Sequence, residues 1–347
     1  MSELSNWMDR LIAALEAFLA ELRELYDQLP GQPPDPPPDP PPDPPPGPVQ
    51  LETLFASELE GYFSVAVHNG VVHAGEWSNR CRVRTQAGTV YDLDANESVY
   101  RLLSAGGRLW GITESPGRLF RDGQYVAGAN NWGMGLCEYE GWVYASFCNP
   151  RPRIFRVSLA DGCVEECAVN VGQHVTIRGL AAFNGHVYGV GYDYANNVGG
   201  YFHGANGANF VWYPKTPGVR WLDCCVWGDR LWLAASPYRN GQRVPPASVY
   251  SMNESGSDVR IEHAAPDTRV GMCITPWGGG LAFGTMVNWR ATSGSGEVWY
   301  MTPQGIWTRV WQAPEPEVCR MVEHEGALVV VTRAENGHGK VYAIRRQ

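Results

Sequence analysis

The stretch MGLCEYEGWVYASFCNPRPRIFRVSLADGCVEECAV, residues 134–169, decides the fold. Apolar and β-prone residues run from Met134 to Tyr139, break at Glu140-Gly141 and resume at once from Trp142 to Phe147. A third run spans Arg153 to Leu159, and after Asp161-Gly162 a fourth spans Cys163 to Val169. A glycine in a two-residue break supplies the positive φ of a hairpin turn, so the stretch predicts four short antiparallel strands in succession.

The same unit recurs. Its first hairpin turn is found at Asn69-Gly70, Gly106-Gly107, Glu140-Gly141, Asn184-Gly185, Gly228-Asp229, Gly278-Gly279 and Glu325-Gly326, spaced about 35 to 50 residues apart. Six of these are followed 16 to 28 residues later by a second turn: Ala87-Gly88, Asp122-Gly123, Asp161-Gly162, Asn206-Gly207, Ser255-Gly256 and Gln304-Gly305. Second strands such as Leu109–Ile112, Val187–Val190, Leu231–Ala234 and Leu328–Val331 are almost continuously apolar, as strands covered on both faces are. Four strands per repeat, seven times, predict a seven-bladed β-propeller.

The last unit offers only three strands, Val318 to Glu323, Ala327 to Thr332 and Lys340 to Ile344. An unpaired edge invites pairing, and Leu51 to Ser57 precedes the first blade without one of its own, so it is the expected fourth strand. Residues 50–347 are therefore expected to form one cooperative head closed by an N-terminal strand.

Residues 1–29 follow another rule. Leu4, Met8, Leu11, Leu15, Phe18, Leu22, Leu25 and Leu29 alternate four and three apart, a heptad seam expected to form a coiled-coil helix. Ile12, Leu19 and Tyr26 widen the stripe beyond what a dimer covers, so a homo-oligomer of three or more copies is expected, a trimer first. A single amphipathic helix docked on a partner face is the alternative. From 30 to 49 the chain is proline with Asp35, Asp39 and Asp43 interspersed, which excludes helix and sheet and predicts a polyproline II rod.

Composition excludes several classes of function. A chain of 347 residues, 44% hydrophobic with fourteen tryptophans, can bury a large core. Its net charge of −9 falls mostly on helix and rod, leaving about −2 on the head, which disfavours nucleic acid. No stretch is apolar for long enough to insert in a membrane, and the acidic, heptad-patterned N-terminus is not a signal peptide. Nine cysteines, five of them (Cys137, Cys224, Cys225, Cys273, Cys319) in first strands, read as small hydrophobes of a protein made in a reducing cytoplasm. No HExxH, GxSxG, Walker A loop or dinucleotide fingerprint is found, and no cofactor or metal is expected; Asp193 with Asn196 and Asn197 lacks a regular calcium-ligand spacing.

In a propeller, the connections between second and third strands and those joining blades share one face around the central channel. Here they carry Trp77, Arg80, Trp132, Arg151, Tyr192, Asp193, Tyr194, Tyr238, Arg239, Trp289 and Arg290 among asparagines. Tyr, Trp, Arg and Asn give large rigid contacts with amides for hydrogen bonding, and aromatic faces suit sugar rings, so a host-surface glycan or protein is the expected ligand. A glycan-acting enzyme would need an acid pair, for which Glu114 and Asp193 are candidates.

A self-associating helix (Leu4 to Leu29), the run PPDPPPDPPPDPPPGP and a closed β head resemble the layout of bacteriophage fibres and spikes. No motif diagnostic of a named fibre family is present. The resemblance implies a virion protein made in the host cytoplasm, anchored to a capsid or tail protein at its N-terminus and meeting the host at its head. Shallow individual contacts would be amplified by oligomeric display. A structural capsid decoration protein with no ligand is the third possibility.

Overall fold

The computed structural model describes residues 8, 11, 12, 14–21 and 49–346, apart from 60, 78–80, 94–97, 130, 131, 149, 150, 173, 206, 240, 266, 267 and 336. The chain divides into two compact units, Met1–Pro44 and Pro45–Gln347. In the first, the described residues are helical, and Met8, Leu11, Ile12, Leu15, Phe18 and Leu19 are between 44% and 57% exposed. Leu4, Leu22, Leu25, Leu29 and the proline run up to residue 48 lie outside the described residues.

The second unit is built almost entirely of antiparallel strand pairs. It begins with β1 (Val49–Ala56), followed by blade one: β2 (Gly61–His68), β3 (Val71–Trp77), β4 (Cys81–Thr85) and β5 (Gly88–Leu93). Blade two is β6 (Val99–Ala105), β7 (Arg108–Thr113), β8 (Gly117–Arg121) and β9 (Gln124–Ala129); blade three is β10 (Trp132–Tyr139), β11 (Trp142–Cys148), β12 (Arg153–Ser158) and β13 (Val164–Asn170). Blade four is β14 (Val175–Phe183), β15 (His186–Asp193), β16 (Val198–Ala205) and β17 (Asn209–Pro217). Blade five is β18 (Val219–Trp227), β19 (Arg230–Arg239), the two-residue β20 (Gln242–Arg243), β21 (Ser248–Met252) and β22 (Val259–Ala264). Blade six is β23 (Val270–Trp277), β24 (Gly280–Met286), β25 (Glu297–Met301) and β26 (Trp307–Gln312); the last is β27 (Glu317–His324), β28 (Ala327–Arg333) and β29 (Lys340–Arg346).

The innermost strands β2, β6, β10, β14, β18, β23 and β27 touch in that order, and β27 returns to β2. This is a closed ring. β1 pairs antiparallel with β29 from Val49↔Arg346 to Ala56↔Lys340 and supplies the missing fourth strand of the last blade, as the unpaired edge predicts. One join was not foreseen: the outer strands β13 and β17 of blades three and four pair in parallel.

The glycine turns behave as their chemistry requires. At Asn69-Gly70 both central residues have positive φ, 50° and 74°, the geometry that matches strand twist in a two-residue hairpin. At Gly228-Asp229 only Gly228 does. Between blades the packing is close, with Trp110, Trp221 and Trp277 essentially inaccessible, each a large apolar side chain whose burial stabilises by roughly 1.5–3 kcal/mol or more. Burial pushes Cys137 and Cys273 up to about 12 and Cys148 and Cys167 up to about 11, as for small hydrophobes and not nucleophiles.

All seven innermost strands slip register at the same place. The skipped residues are Phe63, Tyr100, Met134 with Gly135, Arg178, Leu222, Met272 and Cys319. A bulge bends its strand and re-aims the extra side chain, so a ring of seven brings several such residues together at its centre.

Candidate functional site at the channel mouth

Charged side chains of blades far apart in sequence meet in that centre. Asp223 of β18 takes Arg101 of β6 at 2.6 Å on one oxygen and Arg320 of β27 at 2.7 Å on the other. Arg178, a bulge residue of β14, donates through Nη1 to the Tyr100 hydroxyl of β6 at 2.9 Å. Blades two, four, five and seven can reach each other this way only across the channel.

At one mouth lies a cavity of about 410 Å³, lined by Glu114, Trp132, Arg178, Tyr194, Arg220, Tyr238, Gly241, Gln242, Arg243, Asn288, Trp289 and Arg290. Two strand interiors, β14 and β18, supply Arg178 and Arg220; loops after second strands supply most of the rest. On one wall Tyr192, Tyr194 and Tyr238 form a cluster with ring centroids 4.9 to 5.6 Å apart, and the Arg220 guanidinium lies 5.2 Å from both Tyr194 and Tyr238. Burial pushes Tyr192 up to about 12 and raises Tyr238, so neither phenol gives Arg220 a counter-charge. A second aromatic cluster is built on edge contacts: Trp289 meets Trp77 at 5.4 Å and Phe63 at 5.6 Å, with Arg243 5.0 Å and Arg333 4.9 Å from the Trp289 ring. Arg333 is itself fixed by two hydrogen bonds to Glu317, 2.9 and 2.7 Å.

Five of the residues expected on the loop face line this cavity: Trp132, Tyr194, Tyr238, Trp289 and Arg290. Trp132 and Tyr194 are exposed, at 38% and 37%. Trp77 and Tyr192, expected to be exposed, are buried instead, because Arg333 covers the Trp77 ring at 4.3 Å and Tyr192 is packed under Tyr194 and Tyr238. Asp193 is also buried and shapes its own turn, accepting from the Ala195 and Asn196 amides at 2.9 and 3.2 Å. Arg151 lies apart, beside a second cavity lined by residues from Arg151 to Val169. Arg239 is exposed without lining either cavity, and Arg80 is outside the described residues. Glu114 lines the cavity and Asp193 does not, its carboxylate being engaged by its own turn.

Arg178, Arg220 and Arg243 were missed. For the first two the signal was present in the sequence: VTIRGL and VRWLDC are inner strands with a charge embedded in an apolar run, whereas Arg243 sits in the polar run NGQRVPP and carries no such mark. In a propeller such a position faces the channel, since a fully packed strand would not tolerate it.

Comparison with known proteins bears on the fold alone. No family model matches the chain, and no curated relative does. Among solved structures, the WD40 β-propeller domain of Doa1 superposes with a TM-score of 0.60 at 10% identity over 84% of this chain and 96% of its own. The structure of U3-55K gives 0.60 at 10% identity, covering 85% and 98%, and the computationally designed Ika8 protein 0.53 at 10%, covering 84% and 99%. The chain therefore carries an all-β head that resembles WD40 β-propeller domains.

Proposed function

We propose that the chain is a displayed recognition protein, a virion fibre or spike, whose head binds a host-surface glycan at the channel mouth. Its helix gathers three or more copies as a coiled coil, a polyproline rod spaces head from anchor, and a capsid or tail protein holds the N-terminus. The observation that carries the reading is the cavity, whose size suits a small ligand and whose walls pair Trp132, Tyr194, Tyr238 and Trp289 with Gln242 and Asn288 amides. Sugars are recognised this way, by C–H faces on aromatic rings and hydroxyls on amides. A decoration protein with no ligand would have no use for such a cavity.

Trp132→Ala and Tyr194→Ala are each expected to weaken binding of the full chain to a glycan array by about tenfold, the cost of losing one good aromatic contact. Trp132 is exposed, so its variant should keep the melting temperature, whereas Tyr194→Ala, which loses ring contacts with Tyr192 and Tyr238, should lower it slightly. Unchanged array signals in both variants would remove the cavity from the role. The exposed stripe Met8, Leu11, Leu15 and Phe18 supports the oligomeric part. Sedimentation of the full chain should give a trimer or larger, and Leu15→Asp a monomer; a monomeric wild type would end that claim.

A further inference from the structure

The channel-mouth cavity holds more positive charge than its surroundings balance. Arg178, Arg220, Arg243 and Arg290 line it, against Glu114 alone. The neighbouring channel carboxylates are committed: Asp223 lies between Arg101 and Arg320, and Glu317 is bound to Arg333. Glu114 accepts from the Ser98 hydroxyl at 3.1 Å. Among the described residues, Arg178, Arg220 and Arg243 make no ion pair with any carboxylate.

Arg220 is the extreme case. It is 7% exposed, its Nε has no hydrogen-bond partner among the described residues, and its guanidinium lies against the faces of Tyr194 and Tyr238. Arg243 donates to the Met272 sulfur at 3.6 Å, a weak acceptor, and Arg178 to one phenol. Burial and the nearby Arg178 guanidinium push Arg220 down to about 9 and Arg243 down to about 10. A guanidinium remains protonated at neutral pH, so these depressions express first the cost of burying the charge and then the repulsion from Arg178. A buried charge with no carboxylate partner is costly, and a purely structural role would have been served better by an apolar side chain.

We propose that the cavity is built for an acidic sugar, the ring lying against Trp132 and Tyr194 and the carboxylate accepting hydrogen bonds from Arg178, Arg220 and Arg243. This rests on the glycan reading above and adds the charge of the ligand. Guanidinium forks match a planar carboxylate, and in a water-poor site such charge-assisted bonds are strong. Function here opposes stability, as at sites whose unpaired groups await a ligand.

The test is calorimetric titration of the full chain with glucuronic acid, N-acetylneuraminic acid, glucose 6-phosphate, glucose and a polyglutamate peptide. At least one of the two carboxylate sugars should bind tenfold or more tightly than glucose, and Arg220→Met should remove that preference. The same substitution should leave the ligand-free melting temperature unchanged or raise it, since it relieves repulsion and keeps the tyrosine contacts; Arg243→Met should give both results again. Glucose binding as tightly as the acids, a tenfold preference for glucose 6-phosphate, or binding of polyglutamate alone would overturn the assignment. So would a lowered melting temperature in both arginine variants, which marks structural arginines. If Trp132→Ala weakens glycan binding and Arg220→Met does not, the cavity stands and the acid is wrong; if neither does, both readings fall.

Discussion

A chain shortened to begin at residue 58 should melt about 10 °C or more below one that begins at residue 49, because the second retains β1 and the first does not. The ladder between β1 and β29 joins seven positions, from Val49↔Arg346 to Ala56↔Lys340. At roughly 0.5–1.5 kcal/mol for each net hydrogen bond, its loss costs several kcal/mol, a large share of a domain's stability. Phe55 would also leave its edge contact with Tyr62, where the centroids are 5.5 Å apart. The uncovered edge of β29 then becomes a template for aggregation. The seam is tight elsewhere too: the Ser57 amide donates to the Gly339 carbonyl at 2.9 Å, and a Cβ on Gly61 would come within 2.6 Å of the Thr332 oxygen. Calorimetric scans of both truncations decide the matter, and equal melting temperatures would show that closure does not depend on β1.

Arg333→Met should be the most damaging single substitution near the cavity, at about 3–5 kcal/mol. Both Arg333 and Glu317 are wholly inaccessible, joined by bonds of 2.9 and 2.7 Å, and Glu317 also accepts from the Ala291 amide at 3.0 Å. Removing the arginine strands a carboxylate in the dry interior and takes the cation from between Trp77 and Trp289. The double variant Arg333→Met with Glu317→Leu should recover part of the loss, since the fully buried carboxylate goes with its partner and only the part-exposed Glu335, 3.6 Å from Arg333, loses a cation. Chemical denaturation of the three proteins reads this directly; a double variant as unstable as Arg333→Met would mean that the stack on the tryptophans, not the ion pair, holds the wall. The contrast with Arg220→Met is diagnostic, because the same chemical change is expected to act with opposite sign where the arginine has no carboxylate.

What was legible in the sequence was local. Asn69-Gly70 and its counterparts announce hairpins because glycine and asparagine tolerate positive φ, and repetition turned seven local signals into a ring. The orphan strand before the first blade announced closure, since an edge needs a partner. What escaped depends on neighbours brought from elsewhere in the chain. A bulge is an extra residue only relative to its partner strand, so the re-aiming of Phe63, Tyr100 and Arg178 toward one another has no mark in any single run. Trp77 looks like a loop contact until Arg333, from the last blade, closes over it. Asp193 looks like half of an acid pair until its carboxylate is found capping its own turn.

The central claim is that the channel mouth is where the head meets its ligand. A crystal structure of the full chain grown with the tightest-binding sugar tests it most directly. The expected result is ligand density between Trp132 and Tyr194, with the acid group about 2.7–2.9 Å from the Arg220 guanidinium. Density confined to the cavity beside Arg151 and Glu166, or anywhere else while the channel mouth stays empty at saturation, would contradict it.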